Sequence, residues 1–167
     1  LENEAEVAAL YRQHMGAARA LALAVTADPA LADDIAQDAF IRSASRLSGL
    51  RDTGKFRAYL LRAVAHSSVS HFRRRGAERR SLDRLAAERP IPPEVTPRGL
   101  AADLVKALAA LPPRQRTAVA ARFLFDWSEA QTARAMGCRV GTVKSLTSRG
   151  LVTLRMALAD KEDIDHV

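Results

Sequence analysis

The sequence predicts an all-α protein built from two small helical domains joined by a flexible linker. Three observations carry this. Alanine is abundant and β-branched residues are scattered, so helix is favoured and no stretch reads as a strand of useful length. Apolar residues recur at helical spacing in two blocks, 1–75 and 100–159, with Pro90, Pro92, Pro93 and Pro97 between them. The segment 127–149, WSEAQTARAMGCRVGTVKSLTSR, spells the start, the corner and the restart of a helix-turn-helix.

The first block holds three helical stretches. The first runs over about 4–25 and stops near Asp28-Pro29, and the second runs over about 30–47 and ends at Ser48-Gly49. After a short loop at 50–54, a third runs over about 55–75. From Gly76 to Gly99 the pattern breaks. The proline-bearing part, 89–99, is extended or disordered, and 81–88 has room for one short helical turn. So polar a linker, 76–99, cannot bury enough surface to offset its ordering entropy, which predicts blocks that move independently until a partner fixes them.

The second block opens near Leu100 with a stripe of Leu104, Leu108 and Leu111. Pro112-Pro113 then starts a new helix, a position that proline tolerates well. Val119 and Phe123 are expected on its buried side. Ser128 stands at an N-cap, Gln131 completes a capping box, and Gly137 supplies the positive φ that ends a helix sharply. In the restarted helix Val140, Val143, Leu151 and Leu154 form an apolar back, while Thr142, Ser145, Ser148 and Arg149 form the front. The acidic tail, 160–167, is expected to fray.

The formal charge is +7, which makes a polyanionic partner plausible. The single cysteine, Cys138, allows no intrachain disulfide and no cysteine-cluster zinc site, which suits a reducing cytoplasm. No apolar run approaches a membrane span and no signal peptide opens the sequence; it begins with Leu1 instead of Met, so a trimmed N-terminus is one expectation.

Three surfaces carry chemistry. The front of the last helix offers Arg to fork onto guanine and Ser or Thr to adapt to several base edges, as a major-groove reader requires. On the third helix Leu60, Leu61, Val64, Ala65, Ser68 and Phe72 face inward. Tyr59, Arg62, His66 and Arg73 recur opposite, with Arg74 and Arg75 extending the charge. Arginines beside an aromatic and a histidine are the combination that holds single-stranded nucleic acid. The second helix has the opposite sign: Asp33, Asp34, Gln37, Asp38 and Ile41 cover one side, backed by Ile35 and Ala39. A mixed acidic and apolar patch on a basic protein suggests a docking surface for another protein.

Together these segments resemble a bacterial sigma factor of the extracytoplasmic-function type. DDIAQDAFIR looks like the family's region 2 core-binding helix, and FRAYLLRAVAHSSVSHFRRR looks like its promoter-melting helix. LAALPPRQRTAVAARFLFDWSEAQTARAMGCRVGTVKS looks like region 4. The resemblance covers nearly the whole chain outside the linker and tail, with three motifs in the family's order and spacing. It implies a protein that binds core RNA polymerase and brings it to promoters, doing no covalent chemistry itself and needing no cofactor. Region 2 would span 1–75 and region 4 would span 100–159.

By position, Lys144, Ser145 and Arg149 match the −35-contacting residues, with Arg139, Thr142 and Ser148 beside them. The loop 50–54 and the start of the third helix match the segment that accepts a flipped −10 base, which gives Lys55, Tyr59, Arg62, His66, Arg73 and Arg74 to the −10 surface. Asp34, Gln37, Asp38 and Phe40, with the neighbouring Ile41, match the helix that meets the polymerase clamp. Anti-sigma factors commonly control the family, so one is a possible partner. The family often has Asn at His66, Asp at Ser70 and Trp at Tyr59. It often has Arg followed by an apolar residue where this chain has Leu146-Thr147, a change that removes a cation at the DNA and turns a polar residue toward the core.

The strongest rival is a regulator whose output domain alone is helix-turn-helix, since VGTVKS also occurs in response-regulator output domains. Those carry an α/β or sheet domain upstream, and the first block has no strands. A helical metalloenzyme is disfavoured because His66 and His71 are five residues apart, about 140° around a helix, and share no ligand face. No Glu-x-x-His pair of the di-iron type is present.

Overall fold

The computed structural model describes residues 2–46, 53–81 and 102–162, and the described residues are almost entirely helical. The first block consists of α1 (Glu2–Thr26), α2 (Pro29–Ala44), a 3-10 turn (Thr53–Lys55) and α3 (Phe56–Ser81). The second consists of α4 (Ala102–Ala109), α5 (Pro113–Val119), a π turn (Ala120–Leu124), α6 (Glu129–Met136) and α7 (Val140–Glu162). The expectations for 47–52, 82–101 and 163–167 lie outside the described residues.

Local chemistry sets each corner of the first block. Ala27 adopts a left-handed φ of 56°, which turns the chain out of α1. Asp28 then caps α2 by accepting from the Leu31 amide at 3.1 Å, with Pro29 at the first helical position. Where α1, α2 and α3 meet, Leu21, Val25, Ala36, Phe40, Phe56, Leu60 and Val64 are buried. Phe40 presents its ring edge-on to Phe56 at 5.6 Å and to Tyr11 at 5.1 Å.

Several expectations need correction. Gly76 does not end the third helix, which continues to Ser81, so the linker begins later than 76. Nothing lies within 4 Å of where a Cβ on Gly76 would sit, and one half-buried glycine costs a helix only about 1 kcal/mol relative to alanine. At the other end, α7 reaches Glu162, so residues 160–162 belong to the helix and not to the tail. Phe123 is 54% exposed, whereas Leu124 and Phe125 pack on the core. The π turn is the cause: its extra residue moves the inward position after Val119 from i+4 to i+5. Val140, the first residue of α7, is also exposed instead of backing the helix.

The largest departure concerns the two blocks, which are packed against each other. Val105, Leu108, Leu111, Ala120 and Ala121 continue the same apolar core as Leu21, Val25 and Leu61. Val69 of α3 meets Ala118, Met136 and Leu146 in a second, smaller cluster. Arg116 of α5, only 6% exposed, sits in this joint. Its guanidinium donates to Val25 O at 3.3 Å, Ala109 O at 3.1 Å and Leu111 O at 2.9 Å. Val25 O lies in the last turn of α1, where helical carbonyls lack intrahelical partners and the helix dipole favours a cation. A polar linker leaves the blocks independent only when neither keeps unburied apolar surface, and here both do.

Candidate nucleic-acid interface

The helix-turn-helix is built as its sequence requires. The Ser128 hydroxyl accepts from the Gln131 amide at 3.1 Å, and the Ser128 amide donates to Gln131 Oε1 at 2.8 Å. Both halves of the capping box are therefore made. Gly137 has φ 62° and ψ 42°, the left-handed region that a residue without a Cβ enters freely. The Cys138 amide returns to Ala133 O at 3.0 Å, which closes the corner. Buried Trp127, Thr132, Ala133 and Met136 fix α6 from beneath.

The inner side of α7 is fixed by Val143, which is fully buried, and by Gly150. A Cβ at Gly150 would stand 2.7 Å from Val119 Cγ2 and 3.3 Å from Leu111 Cδ2, so α7 lies on α5 as only a glycine permits. The outer side carries exposed Lys144, Ser145, Ser148 and Arg149, with exposed Arg139 in the turn and half-buried Thr142 near the helix start. Arg149 Nε donates to Ser145 O at 3.3 Å, while Lys144 Nζ lies 3.7 Å from Glu129 on α6. The exposed Lys144 pair is weak enough to be exchanged for a phosphate. Leu146 interrupts this front, since it is buried against Val69 of the other block. Thr147 does turn inward: its hydroxyl is buried without a hydrogen-bond partner among the described residues.

On α3, Leu60, Leu61, Val64, Ala65 and Ser68 are buried and Phe72 is half-buried, as the helical wheel requires. Lys55, Arg62, His66, Arg73 and Arg74 are exposed, and Tyr59 is half-buried. Two arginines not singled out from the sequence join this surface from the end of α2. Arg46 Nη1 donates to Tyr59 Oη at 2.6 Å, and Arg42 Nη2 donates to Ser67 Oγ at 2.9 Å. Their spacing of four residues, which puts both on one helical face, was the available signal.

The acidic face of α2 is largely as expected. Asp34, Gln37, Asp38 and Ile41 are exposed, Ile41 by 65%. Asp33 is held 2.9 Å from Arg19 of α1. Phe40 is the exception: at 5% exposure it is a core ring and not part of the exposed face. Its place at this rim is taken by Tyr11, 39% exposed, which covers the Phe40 ring from α1. Below that aromatic group lies His14, buried beside Phe56; desolvation, and secondarily the Arg57 charge, hold its pKa below the ordinary 6.5.

Residues 10–78 match the sigma-70 region 2 family, and residues 101–154 match sigma-70 region 4. An RNA polymerase sigma-E factor of Streptomyces avermitilis is 34% identical over 140 residues, covering 83% of this chain and 76% of that protein. The extracytoplasmic-function (ECF) sigma factor SigL of Mycobacterium tuberculosis is 29% identical over 158 residues, 91% of this chain and 88% of its own. The chain belongs to the ECF sigma factors of RNA polymerase. A sigma factor directs the polymerase to promoters, and the region 2 match removes the response-regulator alternative, whose upstream domain would contain strands. The fold agrees with the solved structure of the sigma factor RpoE in complex with the anti-sigma factor NepR from Bartonella quintana. That match has a TM-score of 0.66 at 24% identity and covers 89% of this chain and 94% of the other. Among the described residues of this sigma factor, no helix is long and apolar enough to cross a membrane.

Proposed function

We propose that this sigma factor reads −35 duplex through α7 and holds melted −10 bases along α3, while α2 docks on core RNA polymerase. Arg139, Thr142, Lys144, Ser145, Ser148 and Arg149 form the duplex-reading set. Arg149 serves as the base-reading fork and Lys144 as a phosphate contact. Lys55, Arg62, Arg73 and Arg74 hold the single-strand backbone, and Tyr59 and His66 face its bases. Asp34, Gln37, Asp38 and Ile41 form the polymerase contact. Region 2 corresponds to 1–75 with α3 carried on to Ser81, and region 4 corresponds to 100–159. The protein works in the cytoplasm as a binding factor without catalytic groups of its own. The Bartonella relative is held by an anti-sigma factor, which supports the same kind of control here.

The observation that carries this reading is the exposed row Lys144, Ser145, Ser148 and Arg149, set on a helix whose entry is fixed by a complete capping box and a left-handed glycine. Binding to a library of −35 duplexes tests it. Arg149→Ala should relax specificity at one position and cost about 1–3 kcal/mol there. Lys144→Ala should weaken all sequences evenly and lower the salt slope by about one. Equal, sequence-independent losses in both variants would reduce α7 to an electrostatic anchor.

A further inference from the structure

A groove of about 540 Å³ opens where the end of α2, the outer side of α3 and α6 come together. Arg42, Arg46, Arg62 and Arg134 line it, with Tyr59 and His66 on the α3 wall. No carboxylate is among its lining residues, and none of the four arginines is ion-paired within the described residues. Arg42 and Arg46 are held by neutral hydroxyls, and Arg62 Nε turns to Ala58 O at 3.3 Å. Four guanidiniums converging without a counter-charge raise a strong positive potential in a cleft, where low-dielectric walls concentrate it. Guanidinium is also the group whose planar fork matches phosphate oxygens.

We infer that this inter-block groove is a binding site for a small phosphate-chain ligand, a di- or triphosphate, gripped by arginines from both blocks. Its volume is that of a small-molecule site. The half-buried Tyr59 ring, oriented by Arg46, offers a face on which a nucleoside could stack. Arg134 closes the groove from the second block, so the ligand bridges the blocks and stabilises their docked arrangement. The site reaches beyond the promoter reading, because Arg134 on α6 belongs to neither proposed DNA surface. Its α3 wall is shared with the −10 surface, so an occupied groove excludes single-stranded DNA from Tyr59, Arg62 and His66.

Calorimetric titration of the full chain with inorganic triphosphate tests the site. Wild type should bind one equivalent saturably. Arg134→Ala and Arg42→Ala, both at exposed positions, should each weaken binding about tenfold, as loss of one charge-assisted contact does. Arg155→Ala, an exposed cation of α7 outside the groove, should leave it unchanged. In a second arm, adenosine triphosphate binding more tightly than triphosphate would assign Tyr59 to the nucleoside, and equal binding would assign the site to the phosphate chain alone. Absence of saturable binding, or equal weakening by all three substitutions, overturns the proposal. So does a loss of single-stranded −10 DNA affinity in Arg134→Ala as large as its loss of triphosphate affinity, for the groove would then be part of the DNA path.

Discussion

Replacing Arg116 by methionine keeps most of the apolar stem and removes the guanidinium from the joint between the blocks. Three carbonyls lose a donor: Leu111 O at 2.9 Å, Ala109 O at 3.1 Å and Val25 O at 3.3 Å. Taking about 1.5 kcal/mol for each of the two shorter charge-assisted bonds and about half that for the longest gives close to 4 kcal/mol. Relief from desolvating a buried cation offsets part of this, which leaves a net cost of about 2–3 kcal/mol. For a chain of this size that lowers the melting temperature by about 4–12 °C. Urea denaturation followed by circular dichroism measures the cost directly, and a change in slope would show the blocks unfolding separately. Arg116→Lys discriminates the mechanism, because an ammonium cannot fork to carbonyls of two helices and should recover less than half of the loss. A methionine variant within about 0.5 kcal/mol of wild type, or a lysine variant equal to it, would mean that the guanidinium does not hold the joint, since surface-like substitutions lie in that range.

Gly150→Ala forces a methyl group against Val119 Cγ2 and should cost about 1–3 kcal/mol. Adding Val119→Ala should return part of that in a double-mutant cycle, and strict additivity would count against the contact. Because the folded pKa of His14 lies below 6.5, the unfolded chain binds the extra proton. Stability is therefore full above that pH and falls as the pH drops through the folded value; urea midpoints across this range should show a decline that His14→Gln lessens. Asp34→Arg with Asp38→Arg should weaken the complex with core polymerase at unchanged helicity, measured by competition against a labelled sigma factor. Wild-type affinity in that variant would exclude the α2 surface.

The helix-turn-helix was legible in the sequence because each corner has its own local chemistry. Ser128 and Gln131 cap, Gly137 turns left-handed, and the polar row on α7 follows from period alone. The α2 face was legible for the same reason, apart from Phe40. The family pattern placed Phe40 on the docking side, yet it lies four residues from buried Ala36 and three from buried Ser43. Features that depend on tertiary context were not legible. The π turn has no compositional mark, so Phe123 could not be known to turn outward. The continuation of α3 past Gly76 rests on a balance of about 1 kcal/mol against neighbouring arginines that favour helix. The docking of the blocks depends on apolar surface left over on α1 and α5 and on Arg116 reaching across to α1. Arg134, which meets Arg42 and Arg46 only in three dimensions, carries no such mark in the sequence.

Promoter selection through two separate DNA surfaces requires each surface to govern its own element. In vitro transcription with core RNA polymerase over a pooled promoter library measures that directly. The factor should switch on a distinct subset of templates sharing one −35 and one −10 element. Arg149→Ala should relax only the −35 element, and Tyr59→Ala should impair only the −10 element. Transcripts no more numerous than with core polymerase alone, or a promoter set unchanged by either substitution, would contradict it.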